Sequence, residues 1–304
     1  MNKYLISIVG PTGIGKTALS LELAKQFNTE ILSADSRQFY KEIPIGTAAP
    51  TAAELAVAPH HFIHNKSIKD PYSVGSFEKE AIAKLKELFR SKSTVIMVGG
   101  SGLYVDAVIK GFDTFPDVAP ELREQLNLEL KAKGLEALQD ELKQLDPKSY
   151  ETIALKNPHR VIRALEICRG TGLPFSSFLN QNKPKRHFKT ISIGLEADRS
   201  LIYERINFRV DKMLEHGLIE EAKSVFEYRK CNALNTVAYK ELFNYFNKEW
   251  TLEFAVSEIK KNTRRFAKRQ LTWFKKAPST QWFKYNTDVK VITDYIKQEQ
   301  QKTS

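Results

Sequence analysis

The chain has 304 residues, 42% of them hydrophobic, enough for one large domain or two modest ones with a sizeable core. A formal charge of +11 favours an anionic partner, nucleic acid before anionic lipid. Two cysteines in unrelated contexts, Cys168 and Cys231, exclude a disulfide framework and a zinc-finger spacing. The longest apolar stretch, residues 94–105, is too short for a bilayer and carries glycines, and Met1-Asn2-Lys3 leads into no secretory pattern. A cytoplasmic protein without a membrane partner is therefore expected.

Residues 4–9 (YLISIV) are apolar and β-branched, and predict a buried strand. Residues 10–15 break it. Residues 16–27 then predict a helix, with Leu19, Leu23 and Phe27 on one face. Residues 30–34 predict a second strand that ends in Asp35-Ser36, residues 76–91 an amphipathic helix, and residues 94–98 a third strand that ends in Gly99-Gly100. Between 118 and 188 the pattern is helical without a strand, punctuated by prolines: Leu122, Leu126 and Leu130, then Leu135, Leu138 and Leu142, then residues 161–168. Residues 190–195 predict a fourth strand. After Asp198 the chain reads as helical to about Phe274, and residues 298–304 as a polar, frayed tail.

Strands that alternate with helices predict an α/β fold with a parallel sheet flanked by helices. The expected organisation is a discontinuous core of residues 1–117 and 188–296, an all-helical insertion at 118–187, and a flexible tail at 297–304. In such a sheet, residues just after strand ends share one crevice.

The first of those strand ends is Gly10-Pro11-Thr12-Gly13-Ile14-Gly15-Lys16-Thr17, which fits G-x-x-x-x-G-K-[ST] between a strand and a helix. This makes the α/β core P-loop NTPase-like. Backbone N–H groups of such a loop cradle phosphate oxygens, and the helix N-terminus adds its positive end. Lys16 neutralises phosphate charge, and the Thr17 hydroxyl is placed to ligate Mg²⁺. The strand that would supply an ATPase with a metal-orienting Asp ends instead in Gly99-Gly100-Ser101-Gly102. Asp35 is the nearest strand-end carboxylate. It suits a general base or a metal group acting through water; a helix N-cap is the structural alternative. Ser36, Arg37 and Gln38 beside it form a polar reading head. His60, His61 and His64 allow a metal reading, but without nearby carboxylates a hydrogen-bonding role has more weight.

Residues 260–276 (KKNTRRFAKRQLTWFKK) contain no acid. On a helix, Arg264, Arg265, Lys268 and Arg269 form a basic stripe suited to a nucleic-acid backbone. Phe266, Trp273 and Phe274 interleave with it; they either stack on bases or belong to the core, and most are expected in the core. His159-Arg160-Val161-Ile162-Arg163 opens a helix after Asn157-Pro158, with Arg160 and Arg163 on one face. Cations in a first turn oppose the helix dipole, and a bound anion would resolve that conflict. Arg205 and Arg209, one turn apart, are spaced to close over a phosphate.

With these segments in place, the chain resembles the bacterial tRNA dimethylallyltransferases (tRNA isopentenyltransferases) over nearly its whole length. The resemblance rests on the loop 10–17, Asp35 to Gln38, Ile45-Gly46-Thr47-Ala48, Pro59-His60-His61, residues 99–104, Arg160 to Glu166 with Thr171-Gly172, Met213-Leu214 with Gly217-Leu218, and Thr263-Arg264-Arg265, Ala267-Lys268-Arg269-Gln270 and Thr272-Trp273. It implies transfer of the dimethylallyl group from dimethylallyl diphosphate to N6 of adenine 37, in tRNAs reading codons that begin with U. The products would be N6-isopentenyladenosine and diphosphate. It places the general base on Asp35, and tRNA contacts on Asp35 to Gln38, His159 to Arg163, Ser101 and Arg123. Diphosphate and Mg²⁺ fall on the loop, with Thr17 at the metal. Ser101 stands where the family more often has Thr, and Asn157 where it often has Asp. A monomer without an obligate protein partner is expected.

Two other functions compete. A small-molecule nucleotide enzyme, either a nucleotide kinase or the related adenylate isopentenyltransferase, would need neither Arg160 and Arg163 nor the basic helix. A nucleic-acid-binding protein with a regulatory nucleotide switch would not need Asp35.

Overall fold

The computed structural model describes residues 2–179 and 185–302; Pro184 of the proline series and Thr303 and Ser304 of the tail lie outside the described residues. The elements run β1 (Tyr4–Val9), α1 (Lys16–Gln26), β2 (Ile31–Ser33), α2 (Ala52–Leu55), β3 (His60–His61), α3 (Val74–Leu88), β4 (Thr94–Val98), α4 (Gly102–Lys110), α5 (Pro120–Leu145), α6 (Pro147–Thr152), α7 (Pro158–Thr171), β5 (Lys189–Glu196), α8 (Arg199–Glu215), α9 (Leu218–Ser224), α10 (Tyr239–Phe246), α11 (Leu252–Phe274), β6 (Thr280–Lys284) and α12 (Val289–Lys302). They divide into two units: one up to Ile109 and from Arg186 onward, the other Lys110–Lys185.

The first unit is a six-stranded sheet in the order β3-β2-β4-β1-β5-β6, parallel at every pairing. The apolar run of β1 is buried throughout, as a central strand covered on both faces requires. Alternate residues serve opposite layers. Ile6 and Ile8 pack with Leu19, Leu23, Ile202, Ile206, Ile292 and Ile296 from α1, α8 and α12. Leu5 and Val9 pack with Phe77, Leu85, Val105 and Val108 from α3 and α4. A third apolar cluster joins Tyr40 and Ile43 to α9, α10 and Ile259 of α11. No helix among the described residues is long and apolar enough to cross a membrane.

The strand-and-helix alternation therefore predicts the architecture, with three differences in detail. Two edge strands escape the sequence pattern: β3 has two residues, and β6 is half-exposed without a regular alternation. The frayed tail is in fact helical as far as Lys302. Ile292, Thr293 and Ile296 are buried, the Thr293 hydroxyl donates to Gln26 Oε1 at 2.6 Å, and Gln300 Nε2 donates to Thr94 Oγ1 at 2.9 Å, which anchors α12 against α1 and β4.

The second unit is helical. Leu126, Leu138, Leu142, Val161, Ile162 and Leu165 form its core. Gly134, at φ 80°, interrupts α5; its exposed backbone takes a conformation that an L side chain resists. Asp146 caps α6 from a buried position, accepting from Ser149 N–H at 3.0 Å and from the Ser176 N–H at 2.7 Å and hydroxyl at 2.8 Å. Burial alone would raise its pKa, but the bonds from Ser149 and Ser176 outweigh that and hold the carboxyl below the usual range. A depressed folded-state pKa gives stability that is present above the unfolded value and is lost as pH falls through the folded one. Asp146→Ala is thus expected to destabilise this unit by about 1–3 kcal/mol at neutral pH, with the deficit shrinking at the acid end. Thermal unfolding at pH 7 and pH 3 measures it; an equal deficit at both would contradict the assignment.

Candidate active site

Because the strands are parallel, the loops after β1, β2 and β4 emerge at one sheet edge. The phosphate loop enters α1 through Gly15 at φ 107°, a left-handed conformation open to glycine, and no side chain caps the helix. The first-turn N–H groups stay available to an anion, and no acid stands in that turn. Lys16 Nζ donates to the loop carbonyls of Gly10 at 3.0 Å and Pro11 at 2.8 Å. Burial pulls its ammonium down to about 7; Arg209 reinforces this and Asp35 opposes it.

Arg205 and Arg209 of α8 both reach the loop. Arg205 Nε donates to Gly13 O at 2.8 Å, and Arg209 Nη1 to Thr12 Oγ1 at 3.2 Å. Burial lowers the pKa of Arg209, while Asp35 and Glu54 oppose the shift. One residue of the site has no role assigned from the sequence. Gln270 of α11, buried, accepts from Thr12 N–H at 2.9 Å and donates from Nε2 to Gly100 O at 2.8 Å. It ties the phosphate loop to the loop after β4. A Cβ at Gly100 would collide with that amide. In the sequence Gln270 shows as one residue of the family resemblance and a neutral break in a cationic run, with nothing to indicate its partners.

A cavity of about 860 Å³ opens over the loop, lined by Gly13 to Thr17, Asp35, Arg205 and Arg209. A second, of about 450 Å³, lies between the 35–37 segment, the 235–241 segment and α11. Five residues line both: Thr12, Lys16, Asp35, Gly100 and Arg209. Asp35 is the one acid among them. Its Oδ1 accepts from Arg37 N–H at 2.9 Å. No helix starts there, so the N-cap alternative falls; the bond closes a local turn.

The neighbours of Asp35 are held in place. Ser101 Oγ accepts from Ser36 N–H at 2.9 Å and bonds the Ser36 hydroxyl at 3.0 Å. Gln38 Nε2 reaches Ala48 O at 3.2 Å, and its Oε1 accepts from the Ser33 hydroxyl at 3.0 Å. Arg37 Nη1 donates to Asn232 O at 3.0 Å. The histidines do not converge. His61 Nε2 meets Glu30 Oε2 at 2.7 Å, His60 Nδ1 meets Ala58 O at 2.7 Å, and His64, at φ 48°, donates its backbone N–H to Gln38 O at 2.9 Å. Burial lowers the pKa of His60 and of His64. Among the described residues no group of three His, Cys, Asp or Glu is gathered around a common point.

On α11, Arg264 donates to Asn207 Oδ1 at 2.7 Å and Arg265 to Asn262 Oδ1 at 3.3 Å, while Lys268 is exposed. Arg269 lies over the Phe266 ring, and both border the second cavity. The expectation of mostly buried rings fails here: Phe274 is 5% exposed, but Phe266 and Trp273 are 36% and 40% exposed. Helical periodicity turns these two outward, and Trp273 finds its polar partner in Asp106 Oδ2 at 2.9 Å.

The helical unit orders its own candidates. Asn157 accepts from His159 N–H at 3.1 Å and caps α7. Val161 and Ile162 are buried in the unit's core, so their side chains are withdrawn from any RNA contact. Arg123 and Arg163 both pair with the buried Glu166, at 3.0 and 3.2 Å. His159 and Arg160 remain exposed.

Residues 38–277 match the family model described as IPP transferase. A tRNA dimethylallyltransferase of Christiangramia forsetii is 60% identical over 97% of this chain and 98% of its own length. The chain belongs to this family, the bacterial tRNA dimethylallyltransferases. It is accordingly a prenyltransferase. Another member, from Flavobacterium johnsoniae, is 55% identical over 97% of both chains. The crystal structure of a tRNA isopentenylpyrophosphate transferase from Bacillus halodurans superposes with a TM-score of 0.74, at 38% identity, over 99% of this chain and 98% of that one. A eukaryotic dimethylallyltransferase acting on tRNA gives a TM-score of 0.80 at 27% identity, over 94% of this chain and 75% of that one.

Proposed function

We propose that this enzyme transfers the dimethylallyl group of dimethylallyl diphosphate to N6 of adenine 37 in tRNA, with Asp35 as general base. The observation that carries the reading is the position of Asp35, on the boundary of two cavities and flanked by Lys16 and Arg209. The larger cavity, with its loop amides and cations, suits the diphosphate. The smaller one suits an adenine extruded from the anticodon loop. N6 attacks the allylic carbon, the carbon–oxygen bond to diphosphate breaks, and the N6 proton passes to the Asp35 carboxylate. Lys16, the loop N–H groups, Arg205 and Arg209 stabilise the negative charge that grows on the leaving diphosphate.

The residues also suit Mg²⁺. The Thr17 hydroxyl and the Asp35 carboxylate share the larger cavity, and oxygen donors this few fit an ion held jointly with substrate phosphate and water. Bound there, Mg²⁺ would neutralise charge on the diphosphate. Thr17 would hold it directly and Asp35 through water.

Unmodified tRNA incubated with Mg²⁺ and dimethylallyl diphosphate, followed by nucleoside mass analysis, tests the reading; an adenosine without added mass rejects it. RNA contact by the helical unit has a separate test. Arg160→Ala is expected to weaken tRNA binding and to lower the slope of log affinity against log salt by about one phosphate contact. Combined with Arg163→Ala, which also releases Glu166 from one partner, the loss should deepen. Titrations at several salt concentrations measure it, and an unaltered slope removes the segment from the interface.

A further inference from the structure

The wall of the second cavity contains a strained turn that the transfer chemistry does not use. Ala238, just before α10, sits at φ 82° and ψ −52°. An alanine side chain resists this region, and residues held in such conformations cluster at functional sites. Ala238 is buried, and its side chain offers no acceptor to the start of α10. Glu241 takes over that task. Its Oε2 accepts from the Ala238 N–H at 2.9 Å, and its Oε1 accepts from Asn262 Nδ2 of α11 at 2.8 Å. The Glu241 residue is 5% exposed. Burying a carboxylate is costly unless it is hydrogen-bonded, and both its bonds go to holding this turn against α11. Thr236, Val237, Ala238, Glu241 and Asn262 all line the cavity that Asp35 borders.

A relaxed turn would serve stability better. Strain facing a cavity, held by a buried carboxylate, makes sense where the exact place of the wall matters to what occupies it. We propose that the turn at 236–238 is the wall that sets the acceptor base against Asp35, and that Glu241 is the positioning residue that holds it. The inference rests on the smaller cavity being the acceptor side. Glu241 touches no reacting atom; it acts through the backbone of Ala238.

The test is steady-state kinetics of the full chain with an anticodon stem-loop RNA and dimethylallyl diphosphate. Glu241→Ala is expected to raise KM for the RNA about tenfold, the scale of a lost hydrogen bond to a charged group, and to leave KM for the donor within about twofold. Asn262→Ala, a milder change that spares the Ala238 bond, should raise the RNA KM by about threefold. The decisive variant combines Glu241→Ala with Ala238→Gly. Glycine adopts a positive φ without the carboxylate, so the RNA KM should return toward the wild-type value. If Glu241→Ala alone does not fold, the double variant and Asn262→Ala carry the same readout. Equal shifts in both KM values, or no recovery in the double variant, would overturn the inference while leaving the reaction intact. A wild-type enzyme that prenylates no RNA would overturn the functional reading and this inference with it.

Discussion

Asp35→Ala is expected to lower kcat for prenyl transfer by about 10²–10⁴-fold, the usual contribution of a positioned general base. Affinity for tRNA should stay within a few-fold, because the side chain makes one internal bond, to Arg37 N–H, and the segment has other anchors through Ser101 and Gln38. Asp35→Asn is the sharper variant. It preserves shape and can still accept from Arg37, but cannot take the N6 proton. Single-turnover rates measured beside equilibrium RNA binding separate the effects. Unchanged turnover in both variants would sink the base assignment, and a collapse of RNA affinity equal to the loss in rate would turn Asp35 into a binding residue.

Lys16→Met should cost about 10²–10³ in kcat/KM for the donor, as removal of a charge-stabilising donor does elsewhere. The wild-type enzyme adds a pH signature. Without an anion, burial and Arg209 hold Lys16 at about 7, despite Asp35. The charged form is complete well below that value and is lost above it. A diphosphate favours the charged form and raises the pKa again, so donor binding takes up a proton above pH 7 and its affinity falls as pH rises. Calorimetry in two buffers of different ionisation enthalpy reports this uptake. Lys16→Met should abolish it, and uptake that persists in the variant would assign the proton to another group.

The sequence carries some parts of this site openly and hides others for a physical reason. The phosphate loop is legible because its chemistry depends on backbone at fixed spacing, between a strand and a helix. Asp35 is legible because a parallel sheet delivers strand ends to one edge. Arg205 and Arg209 show as a pair one helical turn apart, but not where they point. Gln270 and Glu241 do not declare their roles, because these depend on partners remote in sequence: Gln270 bonds Thr12 and Gly100, and Glu241 braces Ala238 against Asn262. Arg123 and Arg163 look alike in sequence to Arg160, yet the buried Glu166 claims both and leaves Arg160 exposed. The fold shows the same division. Buried β1 and β4 declare themselves by composition, whereas β3 and β6 are strands only because β2 and β5 pair with them.

Gln270 is one amide that grips the phosphate loop at Thr12 from a helix that also bears Arg265, Lys268 and Arg269. In the proposed reaction the loop and the basic side of that helix meet different substrates. Linkage then imposes a symmetry on the enzyme: by whatever factor bound tRNA alters affinity for the prenyl donor, the donor alters affinity for tRNA equally. A glutamine that spans the two gives that exchange a short route through the protein, and its removal would make the two substrates more nearly strangers to one another.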